Sequence, residues 1–131
     1  MNLTQLRDNI IDGLKAAMPA GVQVTSWEDR KTMPPVAVVI PGVVDRDGPV
    51  TVGMPYAVHY VVQIIAGKGT GRQIQVKLDT LIEAGVLALD GLNDPDARLV
   101  VDEIRGPLTG ENDEFLGAEI ELTAAISMRV S

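Results

Sequence analysis

The most constraining feature of the sequence is a strict alternation of apolar and more polar residues near its C-terminal end. From Ala118 to Val130 every second residue is apolar, and the residues between them include two glutamates, a threonine, a serine and an arginine. Because strand side chains alternate between two faces, this pattern predicts a 13-residue strand with one buried and one wetter face. Strands are usually about five or six residues long. We therefore expect this strand to extend beyond the needs of its own domain and to support a neighbouring subunit.

The rest of the sequence predicts two amphipathic helices and four further strands. Apolar residues recur at three- and four-residue spacing over residues 2–18, where Asn2 can act as the N-cap, and again over residues 72–89. The further strands are predicted over residues 22–27, 36–42, 56–65 and 99–104. The order α-β-β-β-α-β-β indicates an α+β sandwich, with two helices on one face of a mainly antiparallel or mixed sheet. The length fits a single domain spanning residues 1–131.

Two local patterns bear on where partners would bind. Both faces of the strand over residues 56–65 are largely apolar, so we expect this strand to be covered on both sides. Residues 44–55 are rich in glycine, proline and aspartate, and they predict an exposed loop or a protruding hairpin. Trp27, at the end of the first predicted strand, is interpreted equally as a core residue or as an interface anchor.

Composition excludes several classes of function. The chain has no cysteine, which rules out disulfides, thiolate zinc sites and cysteine nucleophiles. Its net charge is −7, and the segment from Asp90 to Glu121 contains ten acidic residues but only two arginines. Without clustered lysines and arginines, and with only four aromatic residues, tight nucleic-acid binding is not expected. No apolar run reaches the roughly 20 residues of a membrane span, and no apolar secretory core follows the N-terminus, so a protein inside the cell is expected.

No residue set for catalysis stands out. The single histidine, His59, is interpreted as a packed strand residue, because a metal pair would need a second histidine. The segment IIAGKGTGRQ, residues 64–73, has the outline of a phosphate-binding loop, but its glycine spacing matches neither the Walker nor the dinucleotide motif. The favoured interpretation is a flexible strand-to-helix connection, and a small nucleotide-binding enzyme using glycines 67–71 remains a remote alternative. No cofactor and no metal are expected.

The order of elements, together with several segments, resembles a known family. These segments are PPVAVVIPG, YAVHYVVQIIAG, GRQIQVKLDTLIEAGVLAL and the closing FLGAEIELTAAISMRV. Over nearly the whole chain the sequence is similar to the tail terminator proteins of long non-contractile-tailed phages, the lambda tail protein U-like family. The resemblance implies a non-enzymatic structural protein of the virion.

The same resemblance implies partners and a location. It implies a homohexameric ring that caps the last ring of the major tail tube protein and stops its polymerisation. The ring would present a surface for head-tail joining through the connector protein, and DNA would pass through its lumen without specific binding. Assembly would take place in the host cytoplasm, and the mature location would be the head-proximal end of the tail. Another neck or head-tail joining protein is the alternative.

The candidate interface residues follow from exposed charge in the predicted loop, turn and final strand. They are Asp45, Arg46 and Asp47 in the loop, Lys68 and Arg72 around the glycines, and Glu119, Glu121 and Arg129 on the wetter face of the final strand. We expect Lys68 and Arg72 to contact the acidic 90–121 segment of a neighbouring subunit.

Overall fold

A computed structural model describes residues 2–27, 33–45, 56–69, 71–94, 97–109 and 115–127. Two helices and six strands lie within these ranges. They are α1 (Leu3–Ala17), β1 (Gln23–Ser26), β2 (Val36–Asp45), β3 (Tyr56–Lys68), α2 (Arg72–Asp90), β4 (Asn93–Asp94), β5 (Ala97–Thr109) and β6 (Phe115–Ile126). The predicted order of two helices and five strands is confirmed, and the two-residue β4 is an addition.

The strands form one mixed sheet in the order β1-β2-β3-β6-β5-β4. β1 runs parallel to β2, and every other neighbouring pair is antiparallel. Both helices pack on one face of this sheet: α1 contacts β1, β2 and α2, and α2 contacts β3, β5 and β6. The fold is therefore the predicted α+β class, with both helices on one side.

The helix α1 begins as its sequence predicts. The Asn2 side chain accepts a hydrogen bond from the backbone N–H of Gln5 at 2.8 Å, and the Gln5 side chain accepts one from the N–H of Asn2 at 3.0 Å. This reciprocal capping box satisfies two backbone donors that a helix N-terminus leaves without partners. The apolar stripe of the helix, which includes Leu6, Ile10 and Leu14, is buried against the sheet and α2.

The core lies between the helices and the sheet. Alternate residues of β6 from Leu116 to Ile126 are buried, as the alternation predicts. On β3 the matching face includes Tyr60, Val62 and Ile64. Burial raises the pKa of the Tyr60 phenol, while the charge and hydrogen bond of Arg7 on α1 act in the opposite direction. Among the described residues, no helix is both long and apolar enough to cross a membrane.

β6 begins at Phe115, three residues earlier than predicted, and three other strands extend past their predicted ends. β2 continues to Asp45, β3 continues to Lys68, and β5 continues to Thr109. Shifts in the pairing register occur in each of these strands, between Pro41 and Val44, between Ile65 and Gly67, and between Arg105 and Leu108. Such bulges let pairing continue past residues that do not fit a regular ladder.

The expectation that β3 is covered on both sides is confirmed only in part. On its second face Ala57 is buried, whereas His59, Val61, Gln63 and Ile65 are half-buried. We call the sheet face turned away from α1 and α2 the open face. Trp27 is 42% exposed at the end of β1, so it is not a core residue.

Candidate functional site

The open face joins apolar and charged side chains on neighbouring strands. Val61 and Ile65 of β3 are half-buried there, although they lie outside the main core. In the pairing register Val61 lies opposite Glu121 of β6, and Gln63 lies opposite Glu119. Residues directly opposite each other in a ladder share a face, so both glutamates also lie on the open face.

Four side chains from four adjacent strands form a hydrogen-bonded line across the open face, which we call the polar row. Asp45 on β2 contacts Nε2 of His59 on β3 at 3.0 Å through its Oδ2 atom. The other ring nitrogen of His59, Nδ1, lies 3.1 Å from Oγ1 of Thr123 on β6. The Thr123 hydroxyl in turn donates to Oδ2 of Asp102 on β5.

Strand register explains how the polar row comes together. His59 and Thr123 are direct partners across β3 and β6. In β2, the bulge between Pro41 and Val44 inserts one residue, so Asp45 lies opposite Ala57 on the open face. Without that residue, Asp45 would lie opposite Tyr56, which packs against the core. In β5, a second bulge between Val101 and Glu103 leaves Asp102 as the extra residue beside Thr123.

The structure gives the direction of one hydrogen bond in the polar row. A carboxylate accepts, so the Thr123 hydroxyl donates its one proton to Asp102. The directions of the two bonds that His59 makes, to Asp45 and to Thr123, depend on the tautomer of its ring.

Next to the polar row lies a group of charged residues that we call the charged half: Asp102, Glu103 and Arg105 of β5 with Glu119 and Glu121 of β6. Arg105 contacts Glu121 at 3.4 Å through Nη2 and Glu103 at 3.5 Å through Nε. Glu119 lies opposite Arg105 in the register but makes no ion pair with the described residues. The charged half thus contains four carboxylates and one guanidinium, and only Glu103 and Glu121 contact that guanidinium, so the charged half is negative.

The β3–α2 turn, by which we mean Gly67, Lys68, Gly69, Gly71 and Arg72, carries positive charge. Nζ of Lys68 lies 5.9 Å from the centre of the Phe115 ring, within cation–π range. Arg72 is exposed at the first position of α2, and the N-cap Gly71 supplies no side-chain hydrogen bond. Positive charge is unfavourable at a helix N-terminus, and the first turn of α2 has no acidic residue to offset it. Neither cation forms an ion pair with the residues that the structure describes.

A shallow groove of about 360 Å³ separates the β3–α2 turn from the charged half. Its lining includes Gln63 and Ile65 of β3, Leu108 of β5, and Phe115, Gly117 and Glu119 of β6. The groove is open to solvent along the sheet, so it offers a contact surface rather than an enclosed reaction chamber. Among the described residues, no group of three or more histidine, aspartate or glutamate side chains is arranged to hold a metal ion.

The structure places five of the eight predicted interface residues. Asp45 is the last residue of β2 rather than part of a loop, because the bulge before it prolongs the pairing with β3. Lys68 and Arg72 lie together at the β3–α2 turn, and Glu119 and Glu121 lie together on the open face. Arg46, Asp47 and Arg129 lie outside the described residues.

Sequence reasoning missed the polar row and Arg105. His59 is not fully packed, since 41% of its side chain is exposed. The alternation of β6 places Thr123 on the same face as Glu119 and Glu121, which is the one available signal for the row. Asp45 and Asp102 reach it only through bulges, and no local pattern predicts those. Comparison with known proteins adds no family: no family model matches the chain, and no curated protein does.

Proposed function

We propose that this chain is a structural protein of a phage virion that assembles into a ring, caps the tail tube and forms the head-tail joining surface. The proposal follows the resemblance to tail terminators. Its partners are other copies of the chain, the major tail tube protein and the connector protein, and its place is the head-proximal end of the tail.

The partial exposure of the open face around Val61 and Ile65 is the observation that carries the proposal. Strands of 12 and 13 residues present on it half-buried Val61 and Ile65 beside the charged half. Apolar side chains left partly exposed next to organised charge are typical of surfaces that another protein covers. In a ring, a neighbouring subunit would cover this face.

The chemistry of the polar row supports a structural role rather than hydrolysis. Its Asp–His–Thr sequence superficially resembles a catalytic triad, but the Thr123 hydroxyl donates to Asp102 instead of facing a vacant substrate position. Thr123 also lies in mid-strand, paired with both β3 and β5. Ladder hydrogen bonds occupy the backbone amides there, so they are not available to stabilise an oxyanion.

Net charge supports the passage of DNA through a ring lumen. At −7 per chain, six copies would surround the phosphate backbone with like charge. Repulsion of this kind lets DNA slide without the lysine and arginine contacts that hold a duplex in place.

Native mass spectrometry and negative-stain electron microscopy test the proposal. We expect a ring of about six copies with a central channel, either in solution or on the open ends of tubes built from the major tail tube protein of the same genome. Adding the chain during tube growth should shorten the tubes. A chain that stays monomeric and leaves tube length unchanged contradicts the proposal. Rings that bind the connector but not the tube indicate another neck protein.

A further inference from the structure

We infer that the β3–α2 turn of one copy docks on the charged half of the open face of the next copy, with Lys68 and Arg72 facing Glu119 and Glu121. The inference rests on the proposed function, because it names the contact that would build the ring. The partner is a second copy of this chain.

Charge complementarity is the first argument. Lys68 and Arg72 are exposed and form no ion pair with the described residues, and Glu119 is likewise without one. Glu121 shares its cation, Arg105, with Glu103. The two cations of one copy therefore match an excess of carboxylates in another, and opposite potentials of this kind set the register of an interface.

The two charged groups do not neutralise each other within one chain. Lys68 lies opposite Phe115, and Glu119 is four residues further along β6. Four strand residues span about 13 Å, which exceeds the reach of a direct ion pair. The groove lined by Leu108, Phe115 and Gly117 occupies this gap and gives a neighbouring turn an apolar floor between the charges.

The sheet edges favour a contact through the open face over strand addition. In the described part of the chain, β4 pairs with β5 only at Ala97 and Arg98, so the outer edge of β5 is otherwise free. That edge carries charged side chains, Pro107 and two bulges. β1 pairs with β2 only as far as Val39, and beyond it β2 has Pro41 and a bulge. Such features prevent edge-to-edge pairing.

The contact is heterologous, because it joins two different surfaces. Each copy offers one β3–α2 turn and one charged half, so every copy can bind a neighbour on each side. Head-to-tail contacts of this kind form closed rings when the rotation between copies closes.

Charge exchange tests the contact. One variant carries Lys68→Glu and Arg72→Glu, and a second carries Glu119→Lys and Glu121→Lys. Each alone brings like charges together, so the concentration needed for half-assembly should rise about tenfold or more, measured by mass photometry. An equimolar mixture should assemble again into rings that alternate the two variants, with equal stoichiometry by native mass spectrometry. A chain with all four exchanges should also assemble.

Two charge-matched variants on other exposed positions serve as controls. Lys15→Glu with Lys77→Glu, and Asp79→Lys with Glu83→Lys, change net charge equally on the two helices. They should assemble like the wild type, and thermal melts should confirm that every variant is folded.

The outcomes separate this contact from the proposed function. If the wild type forms rings and both exchange variants form them equally well, the contact is overturned and the proposed ring remains. The same holds if the control variants lose assembly as much as the exchange variants do. The contact is also overturned if each exchange variant alone fails to assemble and their equimolar mixture fails as well. A wild-type chain that forms no ring in solution or on tubes overturns the proposed function and this contact together.

Discussion

His59 joins two strands on either side of it on the open face, since it bonds to Asp45 of β2 and to Thr123 of β6. Through Thr123 the line reaches Asp102, so one row of side chains ties four strands together. Hydrogen bonds that involve charged groups are stronger than neutral ones. We conclude that the row stabilises the register of the central strands.

Removing the Thr123 hydroxyl, which lies between His59 and Asp102 in the polar row, should therefore lower the stability of the sheet. Thr123→Val retains the β-branched shape but leaves Asp102 without its donor and His59 Nδ1 without its hydrogen-bond partner. Because Thr123 and His59 are half-buried while Asp102 is exposed, we expect the free energy of unfolding to fall by about 1 kcal/mol. Urea denaturation followed by circular dichroism measures the change.

A matched threonine elsewhere provides the control. The hydroxyl of Thr80 donates only to the backbone carbonyl of Val76 on the exposed side of α2, at 3.0 Å. Thr80→Val should change stability by less than about 0.5 kcal/mol, as is usual for exposed positions. Equal losses in the two variants would mean that the polar row contributes no more than a surface hydroxyl.

At the scale of elements, the β3–α2 turn depends on backbone conformations that its glycines allow. Gly69 has φ +95°, a region that other residues adopt only with strain, although a Cβ added there would meet no atom within 4 Å. Gly69→Ala should thus lower the free energy of unfolding by about 1 kcal/mol through strain alone.

The neighbouring glycine should respond in the opposite direction. Gly71 has φ −70° and is the N-cap of α2, where a serine side chain can accept a hydrogen bond from the first turn. Gly71→Ser should raise stability by a few tenths of a kcal/mol. If chemical denaturation shows the same loss for both substitutions, the turn tolerates no side chain at all and the conformational explanation is wrong.

Most elements could be predicted because their patterns are local. The predicted helix over residues 72–89 corresponds to α2 (Arg72–Asp90), and Asn2 caps α1 as its sequence indicates. The alternating residues of β6 from Ala118 to Ile126 are buried as expected. Each of these features depends on spacing within one segment, which the sequence contains directly.

The remaining features depend on contacts between segments. Gly106-Pro107 has the chemistry of a turn, yet β6 continues to pair with β5 on both sides of it through a bulge. Asp45 faces the polar row only because β2 gains one residue against β3. Apolarity on both faces of β3 indicated two covered sides, but Val61 and Ile65 on the second face are only half-buried.

At the scale of the whole molecule, the net charge of −7 opposes any tight interaction with a polyanion. The alternative function, a nucleotide-binding enzyme, would require Lys68 and Arg72 of the β3–α2 turn to offset the negative charge of the protein where the nucleotide binds. Isothermal titration of ATP and GTP into the wild type should produce no heat of binding, and a fluorescent DNA duplex should show no change in anisotropy at physiological salt.

The Lys68→Ala variant distinguishes a nucleotide site from a subunit contact. A phosphate-binding loop at the glycines would bind its ligand through the Lys68 ammonium, so the wild type would show a heat of nucleotide binding that the variant lacks. If Lys68 acts in subunit contacts, nucleotide titrations of both proteins stay flat while ring assembly weakens in the variant. A saturable heat in the wild type that disappears in Lys68→Ala would instead make the β3–α2 turn a phosphate site and remove the basis for its role between subunits.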